Sequence, residues 1–275
     1  MAQATCPHSG AKSTGPIAST AMRDILPGGE PASFPGGSTG VLVVHGFTGT
    51  PHSMRPIAEA LARHGHSVEL PLLPGHGTTV EDMIQTGFDD WSNHVDQVYV
   101  KLAAHTDRVV VVGLSMGGTL TLWLASRRPE LAGIVVINAV AVPDEDTRDG
   151  VKAFIESGAE VLDAIRGDIA KPDVAEVAYD ETPLRPLLSL QNALIELQDH
   201  LPSVAMPTLI IVSEQDHVVP PESSDHIASM ISTDAQRLTL ADSFHVATLD
   251  YDQDRIINAI LEFVSAIAGE ANVKS

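Results

Sequence analysis

One short segment, Gly-Leu-Ser-Met-Gly at 113–117, constrains the fold of this chain more than any other. It directly follows the wholly apolar run Val109–Val112 and precedes the mostly apolar stretch 119–124. Glycines on both sides of a serine lack the Cβ atoms that would clash in a sharp turn between a buried strand and a helix. Such a turn projects the serine hydroxyl from the end of the strand. The segment therefore predicts a strand, a strained turn and a helix, with Ser115 as a candidate nucleophile.

Apolar runs of strand length recur along the chain and alternate with stretches of helical periodicity. Uninterrupted apolar runs are typical of strands that are buried on both faces of a parallel sheet. The predicted strands are Val41–Val44, Ser67–Leu70, Val109–Val112, Ile134–Ile137, Leu209–Val212 and Leu238–Leu240. The predicted helices include Ser53–His64, Phe88–Leu102, Ser115–Arg127 and Asp252–Ala268. This alternation predicts an α/β fold, in which a mostly parallel central sheet is flanked by helices.

Two stretches depart from the alternation and define the predicted domain organisation. Residues 140–206 contain helical pieces, at 151–165 and 187–200, with prolines between them and no strong strand pattern. We interpret this stretch as a small helical cap inserted late in the sheet. Residues 1–39 are rich in Gly, Pro, Ser and Thr and predict a loosely structured tail. The core of the fold then comprises 40–139 and 207–275.

A serine hydroxyl is a weak nucleophile near neutral pH, so it needs a base, and the base needs an acid that orients it. Asp216 follows the predicted strand that ends at Val212, where such an acid is expected at the carboxyl edge of a sheet. His245 lies between the last predicted strand and the final helix. The chain order Ser115, Asp216, His245 matches the order known for nucleophiles on strand-to-helix turns.

Other residues compete for both roles. Glu214 and Asp250 are alternatives for the acid, and His217 and His226 are alternatives for the base. His226 lies inside a predicted helix and is expected at the surface. His217 adjoins Asp216 and is expected to crowd it. Asp216 and His245 are therefore the favoured pair.

Attack on a carbonyl creates an oxyanion, which backbone N–H groups must stabilise. The amide of Met116 is one predicted donor, because it opens the helix after the nucleophile. Phe47 is the other, since it follows a His-Gly pair in the loop after the first strong strand. The turn at 73–77, Leu-Pro-Gly-His-Gly, is interpreted as a structural turn beside that loop.

Charge and composition exclude several function classes. Lys and Arg total 16 against 36 Asp and Glu, a formal net charge of −20, which repels nucleic-acid phosphates and favours a neutral substrate. Cys6 is the sole cysteine, and histidines show no clustered metal-ligand spacing, so we predict neither a metal nor a cofactor.

No signal peptide or membrane-spanning run is evident, which favours a cytoplasmic protein. Transient contact with lipid aggregates is compatible with these features, and the oligomeric state is left open.

Four segments, at 45–51, 113–118, 216–221 and 245–250, resemble the bacterial carboxylesterase and monoacylglycerol lipase family, in particular its thermostable monoacylglycerol lipase type. The similarity extends over about 41–264. It implies the α/β-hydrolase fold, the triad Ser115, Asp216 and His245, and oxyanion donors at Phe47 and Met116. It also implies a cap that limits entry to single-chain substrates, with Glu176 holding glycerol hydroxyls and Ile165 in the wall of the acyl pocket. The cap at 140–158 departs most from the family.

The resemblance implies hydrolysis of monoacylglycerols to glycerol and fatty acid through an acyl-enzyme on Ser115. A short-chain carboxylesterase without preference for glycerol is the first alternative. Fold analogy alone also admits a carbon–carbon bond hydrolase or an amide hydrolase. A binding protein that has lost the chemistry is disfavoured, because nucleophile, base and acid are all present.

Overall fold

A computed structural model describes residues 24–164 and 167–269 of the chain. The strands are β1 Ala32–Phe34, β2 Thr39–Val44, β3 Ser67–Leu70, β4 Arg108–Leu114, β5 Gly133–Ile137, β6 Val161–Asp163, β7 Glu181–Pro183, β8 Thr208–Ser213 and β9 Gln236–Leu240. The helices are α1 Arg55–Arg63, α2 Val80–Ile84, α3 Phe88–Ala103, α4 Met116–Ala125, α5 Glu145–Glu156, α6 Leu184–His200, α7 Glu222–Met230 and α8 Gln253–Ala268. Short 3₁₀ turns occupy Pro51–Met54, Leu201–Ser203 and Ala247–Leu249.

Seven strands form one sheet in the order β1-β3-β2-β4-β5-β8-β9, and every neighbouring pair is parallel except β1 with β3. All residues of β2, β5 and β8 are buried, because helices cover both faces. Alternate residues of these strands pack into two separate clusters, one with α3, α4 and α6 and the other with α1 and α8. This double burial explains the uninterrupted apolar runs of the sequence and confirms the predicted α/β fold.

The structure differs from the sequence prediction in the residues before β2. Within the predicted tail, Ala32–Phe34 forms an edge strand that pairs antiparallel with β3. The Leu26 amide also donates to the carbonyl of Gly77 at 2.7 Å. The pairing partner of this three-residue strand lies more than thirty residues away. Strand β1 therefore cannot be predicted from apolar periodicity.

Residues 140–206 lie between β5 and β8 and are called the insertion. It contains α5, the two-stranded β6–β7 pair and α6. The helix predicted at 151–165 begins earlier and ends at Glu156, because Gly158 adopts a left-handed φ of 92°. The short antiparallel pair that follows was not predicted, since each strand has only three residues.

Candidate active site

Ser115 lies at the turn between β4 and α4, at the carboxyl edge of the sheet. Its φ of 54° and ψ of −120° are unusual for a residue other than glycine. The flanking glycines make this turn sterically feasible, because a Cβ on Gly113 would lie 2.1 Å from the Gly117 carbonyl oxygen. A Cβ on Gly117 would lie 2.3 Å from the carbonyl oxygen of Val44. The strained turn predicted from the sequence is therefore present.

His245 and Asp216 lie together beyond the ends of β9 and β8. The Nδ1 of His245 is 2.8 Å from the Oδ2 of Asp216, and both side chains are almost fully buried. The other carboxylate oxygen of Asp216 accepts the amides of Val218 and Val219, each at 2.8 Å. A carboxylate held in this way favours the tautomer of the neutral ring that carries its proton on Nδ1, and in that tautomer Nε2 is free to accept a proton.

The four competing residues have other surroundings. Glu214 is exposed. Asp250 is fully buried, and its carboxylate accepts four backbone amides, as expected of a structural group. His226 contacts the side-chain oxygen of Gln198 at 2.6 Å, whereas the ring of exposed His217 contacts Asp168.

Phe47 and Met116 line the same cavity as Ser115 and His245. Met116 occupies the first position of α4, where an amide has no intrahelical acceptor and the helix dipole favours negative charge. The loop of Phe47 passes close to the serine, since a Cβ on Gly46 would lie 3.4 Å from the Cβ of Ser115. The ring of Phe47 packs edge-on against Trp91, with 5.9 Å between the ring centroids.

A buried histidine supports the loop of Phe47. The Nε2 of His45 accepts the amide of Leu73 at 3.1 Å, and its Nδ1 lies 2.9 Å from the carbonyl oxygen of Gly46. These partners require a neutral ring with its proton on Nδ1. Burial, with the nearby ring of His76, holds the pKa of His45 well below its usual value. His76 belongs to the 73–77 turn and packs against both His45 and Trp91.

The stability of the fold should depend on pH, because the buried ring of His76 resists protonation. Burial lowers the pKa of His76 from 6.5 to about 4. In the unfolded chain His76 takes up a proton below about pH 6.5, but in the folded chain only below about pH 4. The contribution of His76 to the free energy of unfolding should therefore be complete above pH 6.5. It should fall by about 3 kcal/mol as the pH decreases to 4. Urea unfolding at several pH values measures this decrease.

The His76→Gln variant provides the comparison for this prediction, because glutamine does not titrate. Its free energy of unfolding should depend less steeply on pH than that of the unmodified protein. Identical pH dependences would contradict the assignment of a neutral, buried His76.

The candidate site opens into a cavity of about 710 Å³ between the sheet edge and the insertion. Apolar side chains from both parts line it, including Val140, Leu187, Leu190, Val218 and Val219. Among the described lining residues the charged side chains are all carboxylates, with no Lys or Arg. They are Asp144, Glu145, Asp168, Glu176 and Glu222. The cavity is suited to an apolar chain and disfavours an anionic group.

Glu176 lies in this cavity, whereas Ile165 falls outside the described residues. Burial raises the pKa of the Glu176 carboxyl, and hydrogen bonding to Ser53 partly opposes that shift. The carboxylate packs so closely on the Phe47 loop that a Cβ on Gly49 would lie 2.7 Å from Oε1 of Glu176.

Two residues without a role predicted from the sequence contact the loop of His245, namely Asn138 and Asp168. Asn138 directly follows β5, so its position at the carboxyl edge of the sheet was a usable signal. Asp168 lies in the insertion and had no such signal. Within 24–164 and 167–269, no helix is long and apolar enough to cross a membrane.

Comparison with known proteins identifies the family of this chain. Residues 38–252 match the family described as serine aminopeptidase, S33. The chain is 48% identical over 250 residues to the thermostable monoacylglycerol lipase of Bacillus sp. (strain H-257), covering 89% of this chain and 98% of the relative. It is 27% identical to a carboxylesterase of Bacillus subtilis (strain 168), covering 90% of this chain and 99% of the relative.

A solved structure reported with the metagenome-derived lipolytic enzymes LipS and LipT superimposes with a TM-score of 0.85 at 40% identity. The match covers 88% of this chain and 100% of that one. The family match at 38–252 spans strands β2 to β9, the insertion and the loops that carry the candidate site. The chain therefore belongs to the serine aminopeptidase S33 family of α/β-hydrolases.

Proposed function

We propose that this protein hydrolyses carboxylic esters through an acyl-enzyme on Ser115, with monoacylglycerols as its substrate class. The observation that carries the proposal is the contact of Asp216 with Nδ1 of His245, in a cavity that Ser115 also lines. Identity of 48% to a monoacylglycerol lipase supports ester chemistry and the single-chain substrate.

In the proposed reaction, Nε2 of His245 accepts the proton of Ser115 as Oγ attacks the ester carbonyl carbon. Asp216 holds the imidazole tautomer and stabilises the imidazolium. The amides of Phe47 and Met116 stabilise the oxyanion of the tetrahedral intermediate. The intermediate collapses, the ester C–O bond breaks, and His245 returns the proton to the departing alcohol. Water then repeats these steps on the acyl-enzyme and releases the acid.

We assign residues 140–206 as a cap over the acyl pocket. The apolar lining of the cavity and its volume of about 710 Å³ support the binding of one acyl chain there. Glu176 is assigned to the glycerol hydroxyls, because a half-buried carboxyl group in the cavity that Ser115 also lines offers fixed acceptors to a polar head. Val142 and Val218 are exposed at this cavity and support transient contact with lipid aggregates. The sole cysteine of the sequence, Cys6, is in keeping with a cytoplasmic location.

A substrate panel tests this proposal. We expect kcat/KM for a monoacylglycerol to exceed that for di- and triacylglycerols of the same chain by at least about tenfold, because the cap admits one chain. A monoacylglycerol phosphate should also react at least about tenfold more slowly, since its charges would approach the carboxylates of the cavity. Equal rates on mono- and triacylglycerols would contradict the cap assignment.

Two further substrates in the panel separate the alternative functions. An aminoacyl anilide tests the peptidase activity in the family description and should react far more slowly than the monoacylglycerol. A methyl ester of the same acid tests the glycerol preference, which the Glu176→Leu variant should abolish. If that variant keeps the preference of the unmodified protein, the role assigned to Glu176 is wrong.

A further inference from the structure

The backbone of His245 is held on both sides by side chains from outside its own loop. Its carbonyl oxygen accepts the side-chain amide of Asn138 at 2.7 Å. Its N–H donates to Oδ2 of Asp168 at 3.1 Å. Asn138 follows β5 in the sheet, whereas Asp168 belongs to the insertion. Neither hydrogen bond involves the imidazole ring, so both fix the position of the His245 backbone.

The side chain of Asn138 uses both ends of its amide. Its oxygen accepts the N–H of Ser213 at 2.8 Å, and its nitrogen also donates to the hydroxyl of Ser213 at 3.0 Å and to the carbonyl of Phe244 at 3.4 Å. Ser213 ends β8, three residues before Asp216. The buried amide thus connects the strand that carries the acid with the loop that carries the base.

The backbone of Asn138 is itself in an uncommon conformation, with a φ of 45°. Asparagine tolerates this left-handed region better than most residues. A donor and an acceptor are both needed here, and neither an alanine nor an aspartate supplies the two. The local strain and the double hydrogen bonding point to a requirement for this side chain.

The carboxylate of Asp168 joins the same two loops from the opposite side. Its Oδ2 accepts the amide of His217 as well as that of His245, each at 3.1 Å. Its Oδ1 lies 2.8 Å from Nδ1 of His217, and its backbone carbonyl accepts the amide of Val246 at 3.0 Å. One side chain of the insertion therefore fixes the residue after Asp216 and the candidate base together.

A second contact anchors this part of the insertion. The amides of Ala170 and Lys171 donate to the buried carboxylate of Asp250 at 2.7 and 2.9 Å. The same carboxylate accepts the amide of Phe244, beside His245. The segment that carries Asp168 is thus tied to the His245 loop at two places.

We propose that Asn138 and Asp168 are positioning residues for His245, and that the insertion contributes to catalysis by orienting the base as well as by covering the cavity. The inference rests on the proposed role of His245. Proton transfer requires Nε2 within hydrogen-bond reach of the serine hydroxyl, and a displacement of about 1 Å can cost about 100-fold in rate. The two side chains oppose such a displacement from opposite directions.

An Asp168 series tests the proposal with a short, neutral ester. Asp168→Ala should lower kcat about 10- to 100-fold and change KM less than about threefold. Asp168→Asn should restore most of the rate, because the amide oxygen can accept both backbone N–H groups while its nitrogen donates to a neutral His217 ring. His217→Ala, which keeps both amide contacts, should lose much less than Asp168→Ala. Asp163→Ala, at an exposed position in the same insertion, is the matched control.

Asn138→Gly provides a second, independent variant, since glycine accepts the backbone φ of 45° and removes the side-chain amide. Its kcat should also fall about 10- to 100-fold, and it decides the question if Asp168→Ala does not fold. Thermal unfolding of every variant separates positioning from loss of structure. The proposal is overturned if a folded Asp168→Ala or Asn138→Gly keeps kcat within twofold of the unmodified protein. Equal losses in Asp168→Asn and Asp168→Ala would also overturn it.

Ser115→Ala, assayed alongside, distinguishes this failure from failure of the proposed function. An inactive Ser115→Ala with a fully active Asp168→Ala refutes the positioning role alone. An active Ser115→Ala refutes the mechanism on which that role depends.

Discussion

Replacement of Ser115 by alanine is expected to lower kcat for ester hydrolysis by about 10⁶-fold, the loss typical of removing the nucleophile of a serine hydrolase. The covalent pathway requires an oxygen at the apex of the turn between β4 and α4. No acyl-enzyme forms without it. Steady-state hydrolysis of a neutral ester, with enzyme purified free of the host's own esterases, measures the loss.

Folding and substrate binding should survive this substitution, because the φ of 54° is already tolerated by a residue with a Cβ. Ser232→Ala is the matched control, since Ser232 is exposed and its hydroxyl donates to the carbonyl of Pro202. That variant should keep full activity. If Ser115→Ala retained activity within tenfold of the unmodified protein, the assignment of the nucleophile would be wrong.

The second large effect is expected for Asp216→Asn, which should lower kcat by about 10⁴-fold. The remaining oxygen of the side chain would keep accepting the amides of Val218 and Val219, so its NH₂ group would face Nδ1 of His245. Nδ1 would then act as an acceptor, and the ring proton would move to Nε2. A protonated Nε2 cannot accept the proton of Ser115. The geometry therefore predicts loss of the base without loss of the fold.

Glu214→Gln is the control for this substitution, because Glu214 is exposed two residues earlier in the same loop. Its activity should match that of the unmodified protein, and both variants should unfold at similar temperatures. A small effect of Asp216→Asn together with a large effect of Glu214→Gln would reassign the acid.

The sheet and its central turn were predictable because their signals are local. The β4 run is apolar on both faces, and the glycines at 113 and 117 have no room for a Cβ. Asp216 and His245 could be proposed because each follows a recognisable strand, and parallel strands end at one edge. Their contact at 2.8 Å joins loops 29 residues apart.

Other features of the fold and the candidate site could not be predicted from local sequence patterns. Strand β1 depends on pairing with distant β3, and the β6–β7 pair is too short for periodicity. Asp168 resembles any acidic residue of a polar stretch, and only the folding of the insertion onto the His245 loop brings it to the candidate base. Asn138 carried a positional signal, but its role depends on contacts with Ser213 and the loop around residue 245.

The most direct test of the central claim is covalent labelling with a neutral organophosphonate, followed by intact-mass measurement and peptide mapping. The reagent forms a stable adduct with an activated serine. We expect one adduct per chain, on Ser115, formed in parallel with loss of ester hydrolysis. Labelling should be absent in Ser115→Ala and much slower in Asp216→Asn. Inactivation with the adduct on another residue, or unchanged labelling of Ser115→Ala, would contradict the mechanism.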